Sequence, residues 1–77
     1  MKKDASKKRA DLKRVGLNIK QARKEKRMSQ ESLALSADLD RSYVGGVERG
    51  ERNISIVNLK KIADALKVPV SQLLKDL

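Results

Sequence analysis

The chain has 77 residues, with 19 Lys and Arg against 10 Asp and Glu, and it contains neither Cys nor His. A chain of this length forms one domain with a modest core, which no disulfide can reinforce here. Without His and Cys it lacks the commonest general base and the commonest metal ligands, so we expect no enzyme activity, no metal and no cofactor.

The net charge of +9 is carried by the first part of the chain. Residues 1–28 hold 12 Lys and Arg against three acidic residues, whereas the charges of residues 29–77 cancel. This imbalance indicates a polyanionic partner, either nucleic acid or an anionic membrane surface, although a basic segment can also serve solubility alone. The longest uncharged runs have seven residues, against about 20 for a membrane span, and no signal peptide is visible. We therefore expect a cytoplasmic protein.

The apolar pattern divides the N-terminal part of the chain in two. Residues 1–10 show no apolar periodicity and are predicted to form a flexible basic arm. Residues 11–77 are predicted to form the folded domain, whose first helix spans 11–26 because apolar residues recur there at spacings of three and four. Those residues are Leu12, Val15, Ile19 and Ala22.

Two short helices follow in the stretch SQESLALSADLDRSYVGGVERG, residues 29–50. Ser29 is a favourable N-cap for the second helix, which is predicted to end near Ser36. After a connection at 37–39, Asp40 is the predicted N-cap of the third helix. Gly50 is expected to end that helix, in the position that glycine fills best.

Two more helices complete the chain. Ser55 is the predicted N-cap of the fourth helix, and Pro69 suits the first turn of a fifth. No segment is predicted to be a β-strand, since the uncharged run NISIVNL at 53–59 merges into the periodicity of the fourth helix, so we expect an all-α fold. The predicted apolar stripe of the fourth helix is Ile56, Leu59, Ile62, Ala63 and Leu66.

The second and third helices have the geometry of a helix-turn-helix, in which a turn of three or four residues joins two short helices. In this motif the second of the two helices enters the major groove of DNA, and its N-terminal residues reach the base edges. Its first turn here carries Arg41, Ser42 and Tyr43. Arginine can bond O6 and N7 of guanine together, and serine can donate or accept a hydrogen bond. The pattern therefore predicts binding to double-stranded DNA.

Three segments resemble the phage-repressor-like, Cro/XRE-type helix-turn-helix family: SQE at 29–31, LDRSYVGGVERGERN at 39–53 and NLKKIADAL at 58–66. Within that family the chain looks most like the controller proteins of restriction–modification systems. The resemblance implies a compact five-helix, lambda-repressor-like domain whose helix-turn-helix consists of the second and third helices. It also implies a sequence-specific transcription regulator.

The resemblance further implies roles for individual residues. Arg41, Ser42 and Gly46 stand at base-facing positions, and Gln30 stands where the family anchors to the DNA backbone and braces a base-reading side chain. Contacts to the DNA backbone are also implied at the end of the third helix and in the loop after it, for Arg49, Arg52 and Asn53.

Arg23 and Glu48 are expected to be structural, whereas two roles are possible for Tyr43. Arg23 and Glu48 occupy positions that form a partly buried ion pair in some phage repressors, so the resemblance implies a structural pair. Tyr43 can contact a phosphate or the base edges, or it can pack across the corner between the second and third helices.

Gly45 and Gly46 lie in the middle of the third helix, where each glycine costs about 1 kcal/mol relative to alanine. The contacts of Val44 and Val47 could hold so short a helix in spite of this cost. Alternatively, the missing side chains let the helix backbone approach DNA closely, which makes both glycines part of the DNA-binding surface. In that case Gly45→Ala should raise thermal stability and weaken specific binding.

Val70, Leu74 and Leu77 form a stripe with i, i+4, i+7 spacing at the end of the sequence, where little protein is left to cover it. An exposed apolar stripe usually marks an interface, so we expect a homodimer through the fifth helix. Dimers of this fold place their reading helices about 34 Å apart, which is one turn of DNA. The expected target is a near-palindromic operator, with two dimers possible on tandem sites.

The leading function is the controller of a restriction–modification system, which activates transcription at low concentration and represses it at high concentration, as the resemblance implies. A prophage repressor and an antitoxin of the same fold are the nearest alternatives. A small protein-interaction module, docking a partner on its apolar end, is an alternative of another class. No membrane partner and no small-molecule effector are expected. The protein would be bacterial or phage-encoded and associated with the nucleoid when bound to DNA.

Overall fold

The computed structural model describes the backbone of residues 2–77 and the side chains from Lys7 onwards. Over these residues it contains five helices and no strand, which confirms the predicted all-α fold with a helix-turn-helix in its second and third helices. The helices are α1 (Lys2–Glu25), α2 (Gln30–Ala37), α3 (Arg41–Glu48), α4 (Ile56–Leu66) and α5 (Val70–Leu73).

The start of α1 differs from the sequence prediction, because the helix begins at Lys2 and not near residue 11. Residues 2–10 contain neither Gly nor Pro and are rich in Lys, Ala and Arg, which favour helices. They also extend a helix that is already formed and packed, so they bear no nucleation cost. The division into an arm and a domain, and the flexibility of the arm, stay predictions. Met1, the first residue of that arm, lies outside the described residues.

The predicted N-caps of α2 and α4 are confirmed. The Ser29 hydroxyl accepts a hydrogen bond of 3.0 Å from the backbone N–H of Ser32, and the Ser55 hydroxyl accepts one of 3.1 Å from that of Asn58. Asp40 has the extended backbone of an N-cap, but its side chain makes no capping bond to α3. The first turn of α3 is therefore less firmly capped than those of α2 and α4.

Gly50 ends α3 as predicted, with a φ of 76°. The backbone N–H of Gly50 donates to the Val47 carbonyl at 3.0 Å, and that of Glu51 donates to the Gly46 carbonyl at 2.9 Å. This pair of bonds is the Schellman arrangement, which satisfies the last carbonyls of a helix. It fixes the direction in which the chain leaves α3.

The core is a single cluster of apolar side chains from all five helices. The predicted stripes of α1 and α4 mostly point into it, but Ile56 does not, since it is 80% exposed. Ile56 is the first residue of α4 and stands at a groove whose lining includes Leu12, Val15 and Leu59. Periodicity places a residue on a face of a helix, but it does not reveal where along that face the covering protein ends.

A close approach of α1 to α3 depends on Gly16. A Cβ atom at Gly16 would lie 2.5 Å from the carbonyl oxygen of Glu48, and closer still to that of Val47. Backbone atoms cannot retreat as a flexible side chain can, so only glycine allows the two helices this separation. This contact packs α1 directly against the C-terminal end of α3.

Asn18 fastens α5 to α1. Its side-chain amide is buried, and Nδ2 donates to the carbonyl oxygens of Leu73 at 3.0 Å and Lys75 at 2.9 Å. A helix of four residues has little stability of its own, so these bonds help to hold α5 in place. Nothing in the sequence near Asn18 marks this role, because the carbonyl groups that it binds lie 55 and 57 positions away. Within residues 2–77, no helix has both the length and the hydropathy that crossing a bilayer requires.

Candidate nucleic-acid interface

The first turn of α3 presents two polar side chains to solvent. Arg41 and Ser42 are exposed, directly after a turn in which Asp38 adopts the left-handed conformation that ends α2. From Lys7 to Leu77, no acidic side chain forms a salt bridge with Arg41. Both side chains are therefore available to a ligand, while the backbone that carries them belongs to a packed helix.

The opposite end of α3 is held by a buried ion pair. Arg23 on α1 donates to both carboxylate oxygens of Glu48, from Nε at 2.7 Å and from Nη2 at 3.0 Å. The two side chains are only 10% and 2% exposed. Nη1 of Arg23 also donates to the carbonyl of Met28 at 2.8 Å, just before α2. The pair that the resemblance implied thus ties α1, the start of α2 and α3 together.

Arg23 keeps its positive charge throughout the neutral pH range. Because Glu48 accepts its hydrogen bonds, the pKa of Arg23 is raised above the ordinary arginine value, although burial acts in the opposite direction. A basic group whose pKa rises on folding contributes stability below its unfolded pKa and loses it only as the pH rises through the folded value. The contribution of Arg23 is therefore fully present at neutral pH.

Gln30 at the start of α2 joins the same network. Its Nε2 donates to Oε1 of Glu48 at 3.0 Å, and Gln30 is half-buried. Its Oε1 faces Gly45, since a Cβ atom at Gly45 would lie 3.4 Å from it. Gln30 is thus positioned between α2 and α3 by protein contacts, at the edge of the surface where the resemblance placed a backbone anchor.

The two glycines of α3 make room for polar side chains of the same chain. A Cβ atom at Gly45 would lie 3.1 Å from Nη1 of Arg49, and one at Gly46 would lie 2.8 Å from Cγ of Arg52. Both glycines are buried beneath these neighbours. Gly46, predicted to face bases, is therefore covered by Arg52 in the free protein. A close approach to DNA stays a prediction, and it requires the two arginines to move outward.

Tyr43 takes part in packing and keeps a polar group at the surface. Its hydroxyl accepts a hydrogen bond of 3.1 Å from Nδ2 of Asn58 on α4, and the ring is half-buried. The guanidinium of Arg52 lies 5.3 Å from the ring centroid, within the range of a cation–π contact. Asn58 did not stand out in the sequence, because its partner lies 15 positions away.

Basic residues line the end of α3 and the loop after it. Arg49, Arg52 and Asn53 are exposed, and Arg49 forms a salt bridge of 3.1 Å with Glu51. Because both side chains are more than half exposed, this salt bridge is weak. Arg49 can therefore release Glu51 and bind a phosphate instead. Lys13 of α1 packs on Gly50 and adds a further exposed cation beside the loop.

Exposed apolar side chains lie at the start of α4 and after α5, and Ile56 and Leu74 line one groove. Leu74 and Leu77 are exposed, as predicted for an interface, while Val70 is half-buried. The structure adds Ile56 and Val57, which are the most exposed apolar side chains of α4. We call the exposed set of Ile56, Val57, Leu74 and Leu77 the apolar surface.

The model of a helix-turn-helix family matches residues 19–73, from the middle of α1 to the end of α5. The chain belongs to this family. The predicted Cro/XRE-type membership is thereby confirmed, and the family consists of transcription regulators rather than enzymes. The chain is accordingly a DNA-binding regulator.

Its relatives include control proteins of restriction–modification systems. The chain is 48% identical over 65 residues to the control protein C.MunI of a Mycoplasma species, covering 83% of this chain and 88% of that protein. It is 47% identical over 60 residues to C.BamHI of Bacillus amyloliquefaciens, covering 77% and 74%. The structure of the restriction-modification controller protein C.AhdI from Aeromonas hydrophila matches with a TM-score of 0.82 and 52% identity, covering 83% of this chain and 97% of that one.

Proposed function

We propose that this protein is the controller of a restriction–modification system. It binds a near-palindromic operator as a homodimer, activates transcription at low concentration and represses it at high concentration. The similarity to C.MunI, C.BamHI and C.AhdI supports the controller role. The observation that carries DNA reading is the exposed pair Arg41 and Ser42 on a helix whose other end is braced by buried charges.

Arg41 is the principal base reader in this proposal, and Ser42 assists it. A guanidinium fork matches O6 and N7 of guanine, and each such bidentate contact contributes about 1–3 kcal/mol of discrimination. The remaining contacts, to the DNA backbone, position α3 in the groove without reading sequence. They come from Gln30, Arg49, Arg52 and Asn53.

Tyr43 contributes a hydrogen bond to the DNA in spite of its packing role. Asn58 donates to the tyrosine hydroxyl, which therefore keeps its own hydrogen free to donate. A phosphate oxygen, which only accepts, is a suitable partner for that hydrogen. Arg52 lies over the same ring, so the two side chains can engage the backbone together.

The homodimer is proposed to form through the apolar surface together with Val70. Two copies related by a twofold axis bring identical surfaces together, and the pairing removes apolar area from water. The reading helices would then lie about 34 Å apart, which matches two half-sites one turn of DNA apart. A second dimer on a tandem site provides the change from activation to repression.

The test is a selection of bound duplexes from a random pool at about 150 mM salt, near physiological ionic strength. We expect an inverted repeat with half-sites one helical turn apart, and the same repeat upstream of the protein's own gene and of a neighbouring endonuclease gene. Recovery of no motif would refute specific DNA reading. A repeat upstream of prophage or toxin genes would refute the controller role and favour a prophage repressor or an antitoxin.

The dimer is tested separately by sedimentation equilibrium of the wild type and Leu74→Asp. We expect a dimer for the wild type and a monomer for the variant, because a charge in the apolar surface disfavours its burial. The control is Leu35→Asp, since Leu35 is also an exposed leucine but belongs to α2, which contributes no residue to the apolar surface. A wild type that stays monomeric, or a variant that dimerises equally well, would contradict this interface.

A further inference from the structure

The first half of α1 carries exposed positive charge that the helix-turn-helix does not use. The family match begins at Ile19, so the preceding part of α1 lies outside it. Between residues 7 and 14 there are five basic residues and one acidic residue, Asp11. Four of the basic side chains are exposed and Arg14 is half-buried. We call residues 7–14 the basic helical segment.

The basic helical segment lies beside the loop after α3. Lys13 packs on Gly50, and Asp11 lines a groove together with Asn53. Arg9 is one helical turn before Lys13 and therefore lies on the same face of α1, about 6 Å further along the axis. Lys13 and Arg9, two exposed cations of the segment, thus continue the basic rim formed by Arg49 and Arg52.

Among the side chains from Lys7 to Leu77, no carboxylate neutralises this charge through a salt bridge. From Lys7 to Leu77, the salt bridges join Arg23 to Glu48, Arg49 to Glu51 and Lys60 to Asp64, and none includes the basic helical segment. A regular helix also fixes the spacing of the charges, so eight residues present them along about 12 Å. Along B-DNA this length spans several phosphates of one strand.

The chemistry of the segment favours DNA over other anionic surfaces. Membrane binding by a helix requires an apolar face that can enter the lipid, but the apolar face of α1 is buried in the core at Val15, Ile19 and Ala22. Duplex DNA, already bound by the adjacent rim, is the anion within reach.

We propose that the basic helical segment binds the phosphate backbone of the DNA that flanks each half-site. This contact reads no sequence, and it lengthens the DNA covered by each protomer beyond the region reached by α3 and its loop. The inference rests on the proposed function for the position of the DNA. It adds a surface that the base-reading residues do not include.

The experiment compares two variants of equal charge. In one, Lys7, Lys8 and Arg9 are changed to Gln, which preserves helix propensity. In the control, Lys60, Lys61 and Lys67 on and after α4 are changed to Gln. Affinity for the selected operator is measured against salt concentration, on a duplex that ends at the operator and on one extended by about ten base pairs, roughly one turn, on each side.

On the extended duplex, we expect the variant at residues 7–9 to lose up to about three units of the slope of log affinity against log salt, since each phosphate contact contributes about 0.9. Its slope on the short duplex should change much less, and the control variant should match the wild type on both. Hydroxyl-radical footprints of the variant should shrink at the flanks.

Two results would overturn the proposal: equal slopes for the variant and the wild type on extended DNA, or equal losses in both variants, which would indicate net charge alone. Its failure is distinguishable from failure of the proposed function. If the wild type selects an operator and the variant keeps the wild-type slope, only the flanking contact is wrong. If the wild type selects no operator, the proposed function is wrong, and the slopes on arbitrary duplex DNA still decide whether the segment contacts phosphates.

Discussion

The two ends of α3 differ in burial, although the helix has only eight residues. At its C-terminal end Val47 and Glu48 are buried against α1, where Gly16 and Arg23 meet them. At its N-terminal end Arg41 is exposed, and the Asp40 side chain does not cap the helix. The packing that stabilises α3 is therefore concentrated at its C-terminal end, and its N-terminal end is left for the DNA recognition that we propose. Substitutions at the two ends should therefore change the free energy of unfolding and the DNA specificity independently.

The largest loss of stability is expected for Glu48→Ala. This change leaves Arg23 buried without its carboxylate and Gln30 without an acceptor, and breaking a buried pair costs about 3–5 kcal/mol. The free energy of unfolding, measured in urea, reports the loss. Glu51→Ala is the matched control, because its pair with Arg49 is exposed and contributes at most about 1 kcal/mol. Equal losses for Glu48→Ala and Glu51→Ala would contradict the stabilising role of the buried Arg23–Glu48 ion pair.

Gly16→Ala should have the next largest effect, about 3 kcal/mol, because the added methyl group meets backbone carbonyls of α3. Thermal unfolding of Gly16→Ala beside Leu17→Ala measures this, since Leu17 is a partly exposed neighbour on the same helix. An unchanged melting temperature in Gly16→Ala would show that α1 and α3 can separate freely, and the contrast between the two ends of α3 would weaken.

The middle of α3 should give a small effect whose sign depends on the position. Gly45→Ala gains up to about 1 kcal/mol of helix propensity, because its nearest neighbour is the flexible end of Arg49. Gly46→Ala should instead lose stability, since its methyl group meets the stem of Arg52 and displaces it from Tyr43. The melting temperatures of the two variants and the wild type, measured by calorimetry, give the order of their stabilities. A more stable Gly46→Ala would mean that the contact of Arg52 with Tyr43 contributes nothing.

Local features of this fold were predictable from sequence, and distant pairings were not. Ser29, Ser55 and Gly50 were identified because a cap depends on residues within one turn. Asn18 was missed because the carbonyls it binds lie 55 and 57 positions away. The Arg23–Glu48 pair, 25 positions apart, was anticipated only through the family resemblance. The start of α1 was predicted too late, because apolar periodicity detects buried helix and not its exposed continuation.

The candidate nucleic-acid interface was likewise predictable only where it depends on residues close together in the sequence. Helical spacing correctly places Arg41 and Ser42 in the exposed first turn of α3. It does not reveal that Arg49 and Arg52 lie over the two glycines, since that depends on how the chain leaves α3 at Gly50. From the sequence, the two glycines could therefore be explained only by a close approach to DNA or by core packing that tolerates them. Their nearest neighbours are side chains of the same basic rim.

The most direct test of the separation between the two ends of α3 uses Arg41→Ala. Its affinity and that of the wild type are measured for the selected operator and for an operator with the key guanine pair replaced. We expect the wild type to lose about 1–3 kcal/mol on the replaced base pair and Arg41→Ala to lose nothing, with an unfolding free energy within about 0.5 kcal/mol of the wild type. Full discrimination by Arg41→Ala, or a large loss of its stability, would contradict a base-reading N-terminal end of α3 that is independent of the stabilising C-terminal end.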